Sequence, residues 1–403
     1  MDKLGRNMKN RMELPNADST LKASQLNHVS QVWETESDFR NALSKSSVVE
    51  PYVSVIVPVY FGEDTIAKCV QSIIRQKCGR MELLVVDDGS KDKSVDVVNG
   101  ILASSTPPSR VVVHQTNLGI ANTLNQAVRA AEGDYVLIVH QDSELLGDNY
   151  LARAVKSLSG QDDVAIVCGT PIFPITEFNI YQKIFMIMSD HNHSCSPIEL
   201  EEVSFAEHKC DLFKRQPLLQ VGGFDSEHFR SSAEDQVVSW RLRNRGYKII
   251  RDHRLKYIQR YGASLSTLQD IVKKLFKYGE TQAGVMWLTR GTVLTKRHKT
   301  LDQIRRAKNR LAAMICSTIV LSGLVLSTFL SLYFLIPVIG TILIRTFHIA
   351  RRARMQELKI NNRTLPIVGF LGFCTDVAYF AGFGSGLISS LIGRKFQSRP
   401  KVL

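Results

Sequence analysis

The chain has few cysteines, seven in 403 residues, and they are scattered singly along the sequence. Disulfide-stabilised secreted domains use short frameworks of paired cysteines, so this composition predicts a reducing compartment and no disulfides. The sequence also lacks the G-x-G-x-x-G pattern of dinucleotide folds and the G-x-x-x-x-G-K-[ST] pattern of P-loops. Neither kind of glycine loop is therefore available to bind phosphate groups.

Acidic residues are scarce relative to basic ones, with 38 Asp and Glu against 51 Lys and Arg and a formal net charge of +13. Such a balance is typical of proteins that bind nucleic acid or anionic lipid headgroups. Here the basic residues cluster beside two long apolar runs and not on an aromatic-rich soluble segment. We therefore expect a membrane partner and no nucleic acid.

The two apolar runs predict a membrane module at residues 311–403. Residues 311–344 are 34 residues without a formal charge, more than the ~20 needed to cross a bilayer once. The second run, residues 365–393, has Asp376 as its only formal charge. Basic clusters before, between and after the runs favour the cytoplasmic side for all three. That topology makes the first run a hairpin and the second a hairpin or an interfacial helix. Two simple spanning helices are the alternative.

The rest of the chain divides by composition into three segments. Residues 1–50 are polar and lack an apolar core, so a disordered tail or a loosely helical extension is expected. Residues 51–265 have the size of one soluble domain, since domains usually run ~100 to 200 residues. Residues 266–310 are amphipathic and then strongly basic, which predicts a membrane-interface segment. We expect the protein at the cytoplasmic membrane, with the soluble domain facing the cytoplasm.

The stretch Val53 to Ser90 predicts a β-strand, a helix and a second strand. Val53 to Val59 is β-branched almost throughout, and Pro58 near its end cannot donate to a strand ladder. Apolar residues recur at helical spacing after Thr65, and Leu83 to Val86 is typical of a buried parallel strand. The unit is therefore βαβ, and the fold class is α/β.

Two adjacent carboxylates, Asp87 and Asp88, follow the second strand and begin an Asp-Asp-Gly-Ser turn. Ligands of open α/β sheets bind beyond the carboxyl ends of the strands, so these acids are expected where a nucleotide is held. Without a glycine loop the phosphates need another counter-charge, and a divalent cation held by carboxylates is the usual substitute.

The chain resembles the family-two glycosyltransferases, whose nucleotide-sugar domain opens with one strand ending in Pro-x-Tyr and a second ending in Asp-Asp-Gly-Ser. The matching residues follow the family's order over about half the chain. They are Pro58, Tyr60, Asp87, Asp88, Gly89 and Ser90, then Asn117, Leu118 and Gly119, then Gly133, Asp134 and Tyr135. The resemblance implies the GT-A fold, a mixed and mostly parallel open sheet, and transfer of a sugar from a nucleotide-diphosphate sugar donor.

The resemblance also implies a donor site. Its residues would be Pro58, Tyr60, Asp87, Asp88, Asn117, Gly119 and Asp142. The Tyr60 ring would stack on the nucleobase while the Asp88 carboxylate accepts the imide or amide hydrogens of the base. Asp87 is ambiguous and can support the loop instead, because adjacent residues of a strand point to opposite faces.

The strand after Tyr135 ends in His140, Asp142 and Glu144, where the family carries Asp-x-Asp to hold the cation that bridges the donor's phosphates. The resemblance therefore implies Mn²⁺ or Mg²⁺ on Asp142, with His140 as a possible second ligand in place of the first aspartate. A histidine nitrogen suits Mn²⁺ better than Mg²⁺. The alternative is that His140 only packs and hydrogen-bonds at the strand end.

The segment Val221 to Tyr247 is similar to the family's acceptor motif, which is Gly-Gly-Phe-Asp followed by Glu-Asp and a helix. The resemblance implies that Asp235 is the catalytic base, which removes the acceptor hydroxyl's proton in an inverting transfer, with Glu234 as its neighbour. The alternative is that both acids only stabilise the N-terminus of the helix.

Gln236 and Trp240 match two positions of the Gln-x-x-Arg-Trp motif of processive polysaccharide synthases, but Ser239 replaces the arginine. The acidic pair lies well upstream of this motif in those synthases and directly beside it here. Transfer of a single sugar is therefore favoured. The membrane module favours a polyprenyl-linked or other saccharide acceptor near the headgroups. The alternatives are a processive synthase and, because of His140, a non-catalytic nucleotide-sugar-binding or scaffold protein.

Five side chains of metal-ligating types lie between the end of the His140 strand and the Gly-Gly-Phe-Asp segment. They are His191, His193, Cys195, His208 and Cys210. Their spacing matches no zinc-binding pattern, so a zinc site is disfavoured. We expect residues 185–197 to form a loop over the acceptor.

Overall fold

A computed structural model describes residues 31–33, 53–103, 107–189, 199–230, 232–261 and 265–292, scattered positions between 322 and 351, and residues 365–391. The βαβ unit is present as predicted. It comprises β2 (Val53–Val59), α1 (Ile66–Ile74) and β3 (Met81–Asp87). Every residue of the two strands is buried, as expected for parallel strands that are covered by helices on both faces.

The other elements follow in chain order. The strands are β1 (Gln31–Trp33), β4 (Ser109–His114), β5 (Tyr135–Ile138), β6 (Ser143–Leu145), β7 (Val164–Ile172), β8 (Leu200–Val203), β9 (Asp211–Lys214) and β10 (Lys248–Gln259). The helices are α2 (Ser94–Leu102), α3 (Ile120–Ala130), α4 (Tyr150–Leu158), α5 (Ile180–Ser189), α6 (Arg215–Gln220), α7 (Glu234–Asn244), α8 (Leu268–Leu288) and α9 (Leu365–Leu391).

These strands form one mixed sheet in the order β1-β4-β3-β2-β5-β9-β7-β10-β6, with β8 beside β10. The pairs from β1 to β5 and the pair β7·β10 are parallel, while β9 is antiparallel to both its neighbours. The predicted mixed and mostly parallel α/β sheet is confirmed. Its β2, β3 and β5 carboxyl ends lie side by side, which brings the motifs that follow these strands to one edge.

Two apolar clusters cover the two faces of the sheet. Val55 and Val57 of β2 belong to the cluster with α1, α2 and α4, while Ile56 belongs to the cluster with α3 and α7. This alternation follows from the two-residue period of a strand. Helices therefore pack on both faces of the sheet, and this packing fixes the positions from which the loops at its carboxyl edge begin.

Two elements differ from the sequence-based expectation. Gln31–Trp33, inside the polar extension, pairs in parallel with Val112–His114 at the edge of the sheet. A three-residue edge strand carries too little apolar pattern to be recognised from sequence. After Tyr247 the sequence indicates a strand only at Lys248 to Ile250. Strand β10 continues to Gln259, because it pairs with β7, β6 and β8 along its length.

The second apolar run forms one continuous helix, α9, and not a hairpin. Within the described residues, Ile367–Leu391 is the one helical stretch long and apolar enough to cross a membrane. Apart from scattered helical positions, the first run lies outside the described residues, so its predicted hairpin stays a prediction.

Helix α9 packs closely against α8. A Cβ atom on Gly279 would overlap the carbonyl oxygen of Tyr379, and one on Gly382 would overlap the carbonyl oxygen of Phe276. Gly386 lies in the same way against the backbone of Glu280. Small residues at four-residue spacing let two helical backbones approach each other. The apolar helix α9 is therefore packed directly against α8, which follows the last strand of the sheet.

Candidate active site

The loop after β2 is fastened to the end of the strand that carries the metal motif. Tyr60 donates its backbone N–H to Oε1 of Gln141 at 2.8 Å, and the Gln141 amide donates back to the Tyr60 carbonyl at 2.9 Å. The aromatic rings of Tyr60 and Phe61 are 45% and 54% exposed and meet edge to face. An exposed ring pair at the end of a central strand is available to stack on a ligand.

Asp88 is buried and uses both carboxylate oxygens inside the protein. Oδ1 accepts the backbone N–H of Leu118 at 2.7 Å and lies 3.0 Å from Nδ1 of His114, while Oδ2 accepts the backbone N–H of Gly119 at 2.9 Å. No sequence pattern indicated His114 as a partner. Asp88 therefore ties the loop after β4 to the end of β3.

Asp87 has one oxygen to spare. Its Oδ1 accepts the N–H groups of Gly89 at 3.0 Å and Ser90 at 2.8 Å, which shapes the turn. Its Oδ2 is buried and makes no hydrogen bond within the described residues. Burial raises the pKa of Asp87 despite the hydrogen bonds from Ser90. An acceptor left without a partner is costly inside a protein, so this oxygen is suited to a ligand's donor.

Asn117 and Gly119 are fixed from the acceptor segment. The Arg230 guanidinium donates to the backbone carbonyl of Asn117 and, at 3.1 Å, to its Oδ1. Gly119 adopts φ +89°, and a Cβ at this position would overlap Arg230. Glycine is therefore required here for both its backbone conformation and its size.

The end of β5 presents the two expected metal ligands. His140 Nε2 and Asp142 Oδ1 are buried atoms without a hydrogen-bond partner in the described part of the chain. Burial lowers the pKa of His140 to about 4 even though Asp142 opposes the shift, so the imidazole is neutral at pH 7. Glu144, in contrast, pairs with Arg260 at 2.7 Å. A neutral imidazole nitrogen and a free carboxylate oxygen form a donor set that fits Mn²⁺.

The predicted base and its neighbour begin α7. Ala233, the residue before them, is left-handed with φ 75°, and no side chain caps the helix. Glu234 is buried, with Oε2 lacking a partner among the described residues, and Asp235 Oδ1 accepts the backbone N–H of Gln236 at 2.8 Å. Burial raises the pKa of Asp235 to about 7 and that of Glu234 to about 8.

The Gly-Gly-Phe-Asp turn holds this helix in place. Asn125 of α3 exchanges two hydrogen bonds with the Phe224 backbone, at 2.7 and 2.8 Å. Asp225 pairs with Arg241 of α7 at 2.7 Å and accepts the backbone N–H of His228 at 3.0 Å. The acceptor motif therefore connects α3 to α7, and both carboxylate oxygens of Asp225 accept hydrogen bonds.

Helix α8 also contributes to the site. The sequence did not predict this contribution. The pKa of Tyr278 is raised by burial and by the negative charges of Asp235, Glu207 and Glu234, with Asp142 contributing as well. The negative charges of Asp142 and Asp235, the predicted metal ligand and the predicted base, thus both contribute to this shift in the Tyr278 pKa. The Thr281 hydroxyl lies 3.3 Å from that of Ser232. The sequence predicted only an amphipathic and basic membrane-interface segment here, residues 266–310.

Ser239 and Trp240, from the segment compared with the synthase motif, each make a defined contact. Ser239 is buried and its hydroxyl accepts the backbone N–H of Ala206 at 3.1 Å, while the Trp240 indole donates to Thr292 at 3.1 Å. Both therefore have structural roles. Among the described residues no group of three or more His, Cys, Asp and Glu is arranged to hold a metal. His191, His193 and Cys195 lie outside the described residues.

Comparison with known proteins supports the assignment of the domain. The sequence profile of Glycosyl transferase family 2 matches residues 54–222. A PGL/p-HBAD biosynthesis glycosyltransferase of Mycobacterium bovis (strain BCG / Pasteur 1173P2) is 30% identical over 128 residues, 32% of this chain and 50% of that protein. The poly-beta-1,6-N-acetyl-D-glucosamine synthase of Staphylococcus aureus (strain MSSA476) is 26% identical over 200 residues, 49% of this chain and 47% of that protein. The chain thus spans about half the length of these curated relatives.

A solved structure has the same overall architecture. Mannosyltransferase PcManGT from Pyrobaculum calidifontis, in complex with GDP-Man and Mn²⁺, aligns with a TM-score of 0.52 and 18% identity over 84% of this chain and 92% of that chain. At this identity the likeness establishes the fold alone. Together with the profile match and the mixed sheet, it shows that the chain contains a glycosyl transferase family 2 domain of the GT-A fold.

Proposed function

We propose that this protein is a membrane-associated, inverting glycosyltransferase that moves one sugar from a nucleotide-diphosphate sugar to a lipid-linked or other saccharide acceptor. The observation that carries the proposal is a set of buried polar atoms that lack a hydrogen-bond partner among the described residues and belong to the predicted site: Asp87 Oδ2, His140 Nε2, Asp142 Oδ1 and Glu234 Oε2. They come from segments that are far apart in the sequence, the ends of β3 and β5 and the start of α7. Unpartnered buried polar atoms are costly inside a protein, so their occurrence at these positions favours a ligand-binding role over a purely structural one.

The reaction follows from these positions. The acceptor's hydroxyl oxygen attacks the anomeric carbon, the bond from that carbon to the diphosphate oxygen breaks, and the nucleoside diphosphate leaves. Asp235 takes the hydroxyl's proton. A raised pKa near neutrality suits this task, because a general base is most effective when its pKa lies close to the working pH. The mycobacterial relative, itself named a glycosyltransferase, is consistent with this chemistry.

We further propose that Asp142 and His140 hold a divalent cation, as their unpartnered buried atoms fit one. When bound, such a cation stabilises the negative charge that develops on the leaving diphosphate. PcManGT was solved with Mn²⁺ and GDP-Man, which supports testing manganese first.

For the donor's base, the exposed Tyr60 ring supports stacking, as the sequence predicted. The hydrogen-bonding role is better supported for Asp87 than for Asp88. Asp87 Oδ2 has no partner in the described residues, whereas each oxygen of Asp88 already accepts a backbone N–H. We therefore assign recognition of the base to Asp87 and loop support to Asp88.

Membrane association is supported by α9. Large apolar side chains on this helix are exposed, among them Ile367, Phe370, Ile388 and Leu391 at 57% to 69%. Exposed apolar surface of this extent is typical of membrane or partner contacts. We propose that α9 enters the bilayer and that the acceptor is reached at the headgroup level. Co-sedimentation with anionic vesicles tests the first step, and recovery of the full chain in the soluble fraction would contradict it.

The deciding experiment is release of nucleoside diphosphate by the full chain in detergent, with UDP, GDP and dTDP sugars, Mn²⁺ and a lipid extract. We expect turnover with one donor, lost in Asp142→Asn and Asp235→Asn and kept in the control Asp162→Asn. Asp162 is exposed and lies away from these strand ends. Binding without turnover for every donor would instead indicate the non-catalytic protein.

The size and location of the product separate the remaining alternatives. A single labelled sugar on lipid supports the proposal, whereas a high-molecular-weight product would indicate a processive synthase, the activity named for the staphylococcal relative. The buried Ser239, where those synthases carry arginine, favours the single transfer. Label found only on soluble or protein acceptors would overturn the lipid-linked acceptor.

A further inference from the structure

The Tyr261 hydroxyl is a further buried polar group that has no hydrogen-bond partner among the described residues. Burial raises the pKa of this phenol well above its usual range, so the group stays neutral and can both donate and accept a hydrogen bond. A buried hydroxyl without a partner is costly, and the cost is removed when a ligand supplies the missing hydrogen bond.

Three aromatic rings hold the Tyr261 side chain in place. The ring of Phe173 stacks on it at 5.8 Å between centroids, that of Phe178 lies at 5.0 Å, and that of Phe185 meets it edge-on at 5.4 Å. The Tyr261 carbonyl also accepts a hydrogen bond from the buried side-chain amide of Gln182 at 3.0 Å. The position of the ring is therefore fixed by packing, and the hydroxyl cannot turn toward another protein group without loss of these contacts.

The backbone places Tyr261 beside the strand end that carries the proposed metal ligands. Strand β10 pairs with β6 up to its last residue. The next residue, Arg260, donates its backbone N–H to the Asp142 carbonyl at 2.9 Å, and its guanidinium pairs with Glu144 at 2.7 Å. Tyr261 directly follows this double attachment, so its main chain lies within one residue of a hydrogen bond to Asp142.

On the other side, contacts of the same aromatic cluster lead to the proposed base. The ring of Phe185 lies 6.2 Å from that of Tyr278 on α8. Thr281 of α8 donates to the Tyr278 carbonyl, and its hydroxyl lies 3.3 Å from that of Ser232, two residues before Glu234. One series of contacts thus connects the metal strand to the N-terminus of α7, and Tyr261 lies at its metal end.

We infer that the Tyr261 hydroxyl hydrogen-bonds a hydroxyl group of the donor's sugar and helps to determine which sugar is transferred. The inference rests on the proposed function and names the residue that recognises the sugar. In that reaction the diphosphate leaves from the Asp142 end while the acceptor oxygen attacks from the Asp235 end. The sugar therefore lies between the two ends of this contact series. Aromatic walls with a few placed polar groups are typical of sites that orient a small ligand.

The test compares Tyr261→Phe with the unmodified full-length protein in detergent. Calorimetry with Mn²⁺ measures binding of UDP, GDP and dTDP, and of UDP-glucose, UDP-N-acetylglucosamine, GDP-mannose and dTDP-rhamnose. We expect the variant to bind the recognised nucleotide sugar about tenfold more weakly, because one hydrogen bond to the ligand is lost. Its affinity for the corresponding nucleoside diphosphate should not change. Tyr181→Phe is the matched control, since Tyr181 packs against the same aromatic clusters and its hydroxyl is not among the buried unpartnered atoms.

Thermal melting separates a binding role from a structural one. In the ligand-free protein the Tyr261 hydroxyl has no described partner to lose. Tyr261→Phe keeps the aromatic ring and should therefore melt at the same temperature as the unmodified protein or at a higher one. A melting temperature below that of Tyr181→Phe would show that the hydroxyl has a structural partner, and the inference would be wrong.

The binding outcomes separate this inference from the proposed function. If the unmodified protein binds none of these nucleotides and nucleotide sugars, the proposed donor class is wrong and the sugar contact with it. If it binds one nucleotide sugar and Tyr261→Phe binds it equally well, only the sugar contact is overturned. The same holds if the variant loses affinity for the nucleoside diphosphate to the same extent, or if only the KM for the lipid acceptor rises.

Discussion

Asp88 accepts the backbone N–H of Gly119 at 2.9 Å across the end of the sheet. This contact joins the Asp-Asp-Gly-Ser turn to the loop that begins α3, and Arg230 covers the same glycine from the acceptor segment. Three segments that are separate in the sequence therefore stabilise one another: the Asp-Asp-Gly-Ser turn, the loop before α3 and the acceptor segment. The donor loop therefore keeps its shape through the buried Asp88 and through Arg230, which donates to Asn117.

Replacing Asp88 tests this support. Asp88→Ala leaves the N–H groups of Leu118 and Gly119 without their acceptor, and an unsatisfied buried donor costs about 1–3 kcal/mol. We expect a lower melting temperature and weaker nucleoside diphosphate binding together. Asp87→Asn should weaken binding of the base with little loss of stability, because its Oδ2 has no partner among the described residues. If Asp88→Ala melts like the unmodified protein, Asp88 does not support the loop.

Linear motifs explain why much of this site could be predicted. Asp142 follows an apolar strand and Asp235 follows a Gly-Gly-Phe-Asp turn, each at a spacing that is visible in the sequence. Buried parallel strands such as β2 are recognisable because most of their residues are β-branched. The partners of these residues were not predictable in the same way. His114 contacts Asp88 only because β4 lies beside β3. That contact depends on strand order, which no local pattern encodes.

The pH dependence of activity distinguishes the roles of the two acids. As the pKa of Asp235 is raised to about 7, kcat/KM should rise as pH increases through about 7, because the carboxylate form is the base. Asp235→Asn should lower kcat by about 10²–10⁴-fold, the usual contribution of a general base. Glu234→Gln should retain activity within about tenfold, since Glu234 with a pKa of about 8 is mostly protonated at pH 7.

A pH–rate profile of the two variants provides the check. A profile that does not change between pH 5.5 and 8.5 in the unmodified protein would remove Asp235 as the base. Full loss of activity in Glu234→Gln with normal donor binding would transfer the role to Glu234.

Glu234 should also make the folded state pH-sensitive. The pKa of its buried carboxyl is raised from 4.5 to about 8, so between these values the folded state binds a proton that the unfolded state does not. Stability should therefore fall as pH rises from about 4.5 to about 8. Glu234→Gln removes this contribution and should melt several degrees higher than the unmodified protein at pH 8. Equal melting temperatures of the two proteins at both pH 5.5 and pH 8 would show that burial of Glu234 has no such cost.

Tyr278 and Lys274 of α8 show what sequence patterns leave out. In the sequence Lys274 stands between Lys273 and Lys277 on an amphipathic helix, and nothing distinguishes it from solvated lysines. Its ammonium lies 5.1 Å from the centre of the Phe185 ring because α8 packs against α5. The α8–α9 contact itself had a recognisable signal, the Gly382-x-x-x-Gly386 pattern in an apolar helix.

The last prediction concerns that helix contact. Alanine normally stabilises a helix relative to glycine, by up to about 1 kcal/mol. At Gly384 nothing lies within 4 Å of an added Cβ, whereas at Gly382 a Cβ would overlap the Phe276 carbonyl of α8. Gly384→Ala should therefore leave turnover unchanged. Gly382→Ala should displace α8 and with it Tyr278, so we expect a lower kcat. Equal activity of the two alanine variants, measured as nucleoside diphosphate release in detergent, would show that the site does not depend on how the apolar helix is packed.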